Sequence, residues 1–184
     1  MKNEMNEKQV LWMKTGIAAV LVLLAAALRI LPHPWNFTPI GAMALFSGSA
    51  FRERWLRFIF PLLALFAGDA VVGFHRLMPV VYLSFLASVV IGMWIGEERN
   101  VLRIAGGTVL GATQFFLVTN FAVWVVFTTY PKSAAGLIAC YVAGIPLYWN
   151  SLAGDAFYAG LLFGGYALAE RLVTDDRRPA EISS

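Results

Sequence analysis

A chain of 184 residues that is 59% hydrophobic and only 14% charged, with a mean hydropathy of +0.69, lacks the charge needed to cover a soluble surface. A single cysteine excludes an internal disulfide, two histidines argue against a multi-histidine metal site, and the lack of short alternating segments argues against a β-barrel. Several apolar runs reach the roughly 20 residues that cross a hydrocarbon core, which predicts an all-α polytopic membrane bundle.

Residues 1–10 are polar and read as a cytoplasmic lead. Lys2, Lys8 and Lys14 ahead of an apolar run, with Ala25, Ala26 and Ala27 behind, resemble a signal peptide. The run is too long for that, and predicts a retained first membrane helix from about Leu11 to Leu31. The next stretch, Leu31 to Pro39, holds three prolines, His33, Trp35 and Asn36. Proline fixes φ and removes a donor, so this is a shaped loop, either a ligand surface or a rigid turn with an aromatic anchor. A short second helix, from about Pro39 to Phe51, is rich in Gly, Ala and Ser, which predicts burial within the bundle.

A basic turn over 52–57 leads to a third helix from about Phe58 to Phe74, carrying Asp69. The short loop 75–79 begins with His75, and a fourth helix runs from about Val80 to Gly96. A charged turn over 97–103 precedes a fifth helix from about Ile104 to Thr129, with Gly107 and Gly111 marking tight packing, then Gln114 and Asn120. Residues 134–150 are apolar but short and interrupted by Pro146, which predicts a re-entrant or interfacial segment. A sixth helix then starts near Asn150 or Ser151, either a good N-cap, and ends near Leu172, leaving a polar cytoplasmic tail over 173–184. Residues 11–172 thus form the transmembrane domain.

Six spans place eleven Lys and Arg residues with the two termini and the 52–57 and 97–103 turns, against three (Arg29, Arg76, Lys132) on the other side. That bias predicts both termini on the cytoplasmic side. With this topology Asp69, Asn120 and Asp155 fall at similar depth in the outer part of the bundle, near His33, Trp35, Asn36, His75, Trp149 and Asn150. A carboxylate in a membrane helix costs about 2.5–3.5 kcal/mol, and such residues face a cavity or a partner. Two carboxylates, two imidazoles and several amides at one level among aromatics predict a pocket for a small solute, open to the outside.

Each residue also has a structural reading. Asp155 in a first helical turn suits the helix dipole, Asp69 suits a pair with Arg29 or Arg76, and Asn120 suits an interhelical hydrogen bond. His33 suits bracing of its loop, and Trp35 and Trp149 suit the interfacial belt. Nucleophile elbow, paired-histidine zinc motif, phosphate-binding glycine loop and ATPase motif are all absent from the sequence, so no enzyme activity, metal or cofactor is expected.

This layout resembles the substrate-binding S-components of energy-coupling factor vitamin transporters. The stretch His33 to Phe46, with Ala67-Gly-Asp69 and Thr119-Asn-Phe121, resembles a family of small bacterial membrane proteins related to the solitary cobalamin transporters of that fold. The resemblance implies a ligand role for His33, Asp69 and Tyr82; the loop cysteine of those transporters has no counterpart in 75–79. It also implies multi-pass residence in the bacterial cytoplasmic membrane and an energising transporter module as partner. The expected function is uptake of a small vitamin-like solute, with the lipid bilayer and that solute as partners and no role for nucleic acid. The expected contacts are His33, Trp35, Asn36, Asp69, His75, Tyr82, Asn120, Trp149, Asn150 and Asp155. The alternative is a non-transporting scaffold or subunit whose outer polar cluster holds the bundle together.

Overall fold

A computed structural model describes residues 7–28 and 35–175, and there the chain is helical apart from its connections. Six helices follow in order: α1 (Glu7–Leu28), α2 (Ile40–Ala50), α3 (Arg54–Val72), α4 (Met78–Ile95), α5 (Val101–Val126) and α6 (Ala134–Asp175). Four of them, α1, α4, α5 and α6, are long and apolar enough to cross a membrane. The shorter α2 has 11 residues, and α3 carries Arg54, Arg57 and Asp69 among its 19. The architecture is that of a helical membrane bundle.

The shortest helix is the centre of the bundle. Nine of the 11 residues of α2 are buried, and α2 touches every other helix. Its small residues explain why. A methyl group at Gly48 would overlap the backbone of α4 at Val89, and one at Gly92 would overlap the backbone of α2 at Leu45. The two helices therefore cross with their backbones in contact, as small residues permit where no hydrophobic force drives helices together. Phe46 fills the other side, packing edge-on against Phe163 and Tyr166 at 5.3 and 5.4 Å between ring centroids. Gly107 meets Ile95 and Gly111 meets Leu45 and Ser88, so this glycine pair is packed inside the bundle.

One end of the bundle is tied by charge. Glu170 near the end of α6 pairs with Lys14 of α1 at 3.0 Å and with Arg99 of the α4–α5 turn at 2.9 Å. The Arg99 guanidinium also lies 4.6 Å from the Tyr166 ring centroid. At the same end the Ser49 hydroxyl donates to the Gly96 carbonyl at 2.7 Å. At the tip of the α5–α6 hairpin, the Lys132 ammonium donates to the carbonyls of Trp124, Val125 and Phe127, closing the exposed C-terminus of α5.

The expected separate segment over 134–150 is corrected. Residues 134–175 form one helix of 42 residues, about 63 Å long at 1.5 Å per residue. Pro146 withholds the amide that would bond the Val142 carbonyl, yet the helix continues because α5 braces it on both sides of the proline. Tyr141 donates to the Leu117 carbonyl at 2.8 Å, and the Tyr148 and Thr113 hydroxyls lie 3.1 Å apart. Asn150 and Ser151 are consequently interior helical positions, not N-caps.

Candidate functional site

The site begins at the N-terminus of α2. Pro39 occupies the N-cap and offers no side-chain acceptor, so the first amides of α2 need one from elsewhere. Asp155 of α6 supplies it: its Oδ1 accepts from the Ala42 N–H at 3.0 Å, and the Gly41 amide also faces the carboxylate. The carboxylate fits because position 41 has no side chain; a methyl there would overlap both carboxyl oxygens. The positive end of the α2 dipole faces this buried carboxyl group.

Beside this contact lies a cavity of about 350 Å³, at the lower end of the range for small-molecule sites. Its polar lining comes from Asn36, Thr38, His75, Ser88, Ser151 and Asp155, and Phe85 and Phe115 form an aromatic wall. A second cavity of about 180 Å³ adjoins it, sharing Asn36, Phe115 and Ser151 and extending along α5 and α6 past Asn120 and Tyr148. Asn36 stands at the junction with φ +60°, a left-handed conformation that asparagine tolerates better than most residues. Non-glycine residues held there concentrate at functional sites.

The lining groups divide by whether they are already engaged. Ser88 donates to the Ser84 carbonyl and receives Gln114 Nε2 at 3.1 Å. Asn120 donates to the Phe116 carbonyl at 2.8 Å, and Thr119 donates to the Phe115 carbonyl at 2.7 Å. The polar side chains of Asn36, Thr38, His75 and Ser151 face the cavity without such bonds and are the groups free to meet a solute.

The sequence-predicted residues separate accordingly. Asn36, His75 and Asp155 line the larger cavity, and Asn36 and Asn120 line the smaller. Asp69 and Tyr82 line neither; Tyr82 donates to Asp69 Oδ2 at 2.9 Å, joining α3 to α4 around a carboxylate only 2% exposed. Trp35 and Trp149 are largely exposed. Asn150 Nδ2 donates to the Trp35 carbonyl at 3.1 Å, which fixes the loop that carries Asn36. His33 and Arg29 lie outside the described residues.

Thr38, Ser88, Ser151 and the wall of Phe85 and Phe115 were not among the predicted contacts. Single hydroxyls and phenyl rings are common in apolar helices. The spacing of Ser84 and Ser88, four apart on one face and opposite Gln114, is the signal that could have found this wall. Among the described residues, no group of three or more His, Cys, Asp and Glu side chains lies together as a metal site would need.

No curated protein and no solved structure matches this chain. One family model does, over residues 9–178, from the first turn of α1 past the end of α6. The chain that builds this cavity therefore belongs to DUF6580, a family of unknown function.

Proposed function

We propose that this chain is a multi-pass protein of the bacterial cytoplasmic membrane that binds a small, vitamin-like solute from the outer side and helps it cross. The observation that carries this reading is the pair of adjoining cavities inside an apolar bundle, furnished with unengaged polar side chains and an aromatic wall. The excess of Lys and Arg at the end shared by Lys14, Arg99 and Glu170 supports six spans with both termini inside. The cavities then lie nearer the outer loops 35–39 and 73–77. The resemblance to S-components supports the same layout; α1 lacks the Ala-xxx-Ala pair by which S-components dock on an energising module, so that partner has no support of its own. The combined space suits a solute much smaller than a complete corrinoid.

A scaffold role draws support from the engagement of Asp155 by α2 and of Asn120 by its own helix. Native mass spectrometry of the protein released from nanodiscs separates the two. A bound small molecule at one per chain, absent from a Phe115→Trp variant that melts at the same temperature, is the result expected for a solute site. A clean apo mass that stays apo across a panel of vitamins supports the scaffold.

A further inference from the structure

The charge of the lining points to the charge of the solute. Among the described residues that line the two cavities there is no lysine and no arginine, and the one acidic side chain is that of Asp155. That carboxylate is held at the α2 N-terminus, so its position is fixed before any solute arrives. An anion placed beside it would meet the carboxyl oxygens, with no lysine or arginine among the described lining residues to compensate. Phosphate and carboxylate groups are recognised by arginine forks, lysines or free helix N-termini, and here the helix N-terminus is already occupied.

The remaining groups specify more. Phe115 walls both cavities and packs against Phe85 with centroids 5.0 Å apart, so a flat ring has a face to lie on at the junction. Asn36 at the same junction offers an amide donor and acceptor, Thr38 and Ser151 offer hydroxyls, and His75 offers an imidazole. These suit the edge of a nitrogen heterocycle. We infer that the site takes a planar heteroaromatic solute that is neutral or singly cationic, and rejects the phosphorylated or carboxylated form of the same ring. This inference rests on the reading of the paired cavities as a solute site.

The test uses the full chain in nanodiscs and matched probes that differ in charge: nicotinamide against nicotinate, thiamine against thiamine monophosphate, and pyridoxine against pyridoxine 5′-phosphate. Binding is read by native mass spectrometry and calorimetry. At least one neutral or cationic member is expected to bind tenfold or more tightly than its anionic counterpart. Asp155→Asn keeps an oxygen for the Ala42 amide while removing the charge. It is expected to weaken a cationic probe about tenfold and a neutral one less than twofold. Equal or tighter binding of the anionic members overturns the inferred class and leaves the solute site standing. So does an endogenous occupant with net negative charge. Failure of every probe, together with an apo mass for protein taken directly from cells, overturns both the class and the solute site.

Discussion

Asp155 caps a helix to which it does not belong. It stands 113 positions along the chain from Ala42, yet its Oδ1 accepts the Ala42 amide at 3.0 Å and so closes the N-terminus of α2. The most buried helix thus depends on a side chain of the longest one. Asp155→Ala is expected to lower stability by about 1–2 kcal/mol, as loss of an N-cap does, and Asp155→Asn by less. Gly41→Ala should cost about 1–3 kcal/mol, because the added methyl displaces the carboxylate. Thermal melts in detergent would show this order; an Asp155→Ala protein as stable as wild type would remove the cap from the account.

Backbone contact between α2 and α4 gives a sharper contrast. Gly48→Ala and Gly92→Ala each press a methyl into the facing backbone, which cannot rotate away. Both should fall at or beyond the upper end of the roughly 1–3 kcal/mol range for overpacking, seen as loss of folded, monodisperse protein. Gly160→Ala and Gly164→Ala place a methyl in open space on α6 and should express and melt like wild type. Similar behaviour of all four variants would mean that α2 and α4 do not cross in contact.

Tyr82→Phe removes the hydroxyl that reaches buried Asp69, leaving that acceptor short of one donor. A loss of about 1–3 kcal/mol is expected. Because neither residue lines a cavity, solute affinity at a temperature where the protein is folded should change less than twofold. A large affinity change without a stability change would move this pair into the site.

Glu170→Gln breaks two ion pairs at once, to Lys14 and to Arg99. These side chains are only partly sheltered, so each pair should contribute no more than about 1 kcal/mol, less at high salt. A double-mutant cycle over Glu170→Gln and Arg99→Gln, run at low and high ionic strength, measures this coupling. A coupling of zero at low salt would remove the Arg99 pair from the ties on the end of α6, leaving the Lys14 pair.

What the sequence disclosed depended on how local the signal was. Apolar runs reveal five helices to within a few residues, and the Gly, Ala and Ser content of 39–51 marks α2 for burial before any contact is seen. The start of α6 was misread because Pro146 and the Asn150-Ser151 pair are genuine local stop and start signals. Bonds from Tyr141 and Tyr148 to α5 overrule them, and those partners lie 24 and 35 positions away. In the site, Asn36, His75 and Asp155 stand out as polar residues in an apolar chain. Ser88 and Phe115 are ordinary until α4 and α5 are laid side by side. Asp69 stands out equally and yet faces Tyr82, since nothing in the sequence says which way a buried carboxylate points.

The length of α6 has a mechanical side. A single rod of 42 residues carries Trp149 near one face of the bundle, Asp155 at the cavity and Glu170 at the opposite end. From Asp155 to Glu170 is about 22 Å at 1.5 Å per residue, so a rotation of roughly 10° about the cavity sweeps the Glu170 end through about 4 Å. Such a sweep is longer than an ion pair. A rod pivoting at the cavity would therefore break the pairs to Lys14 and Arg99 at the far end of the bundle, so those pairs hold α6 to one angle.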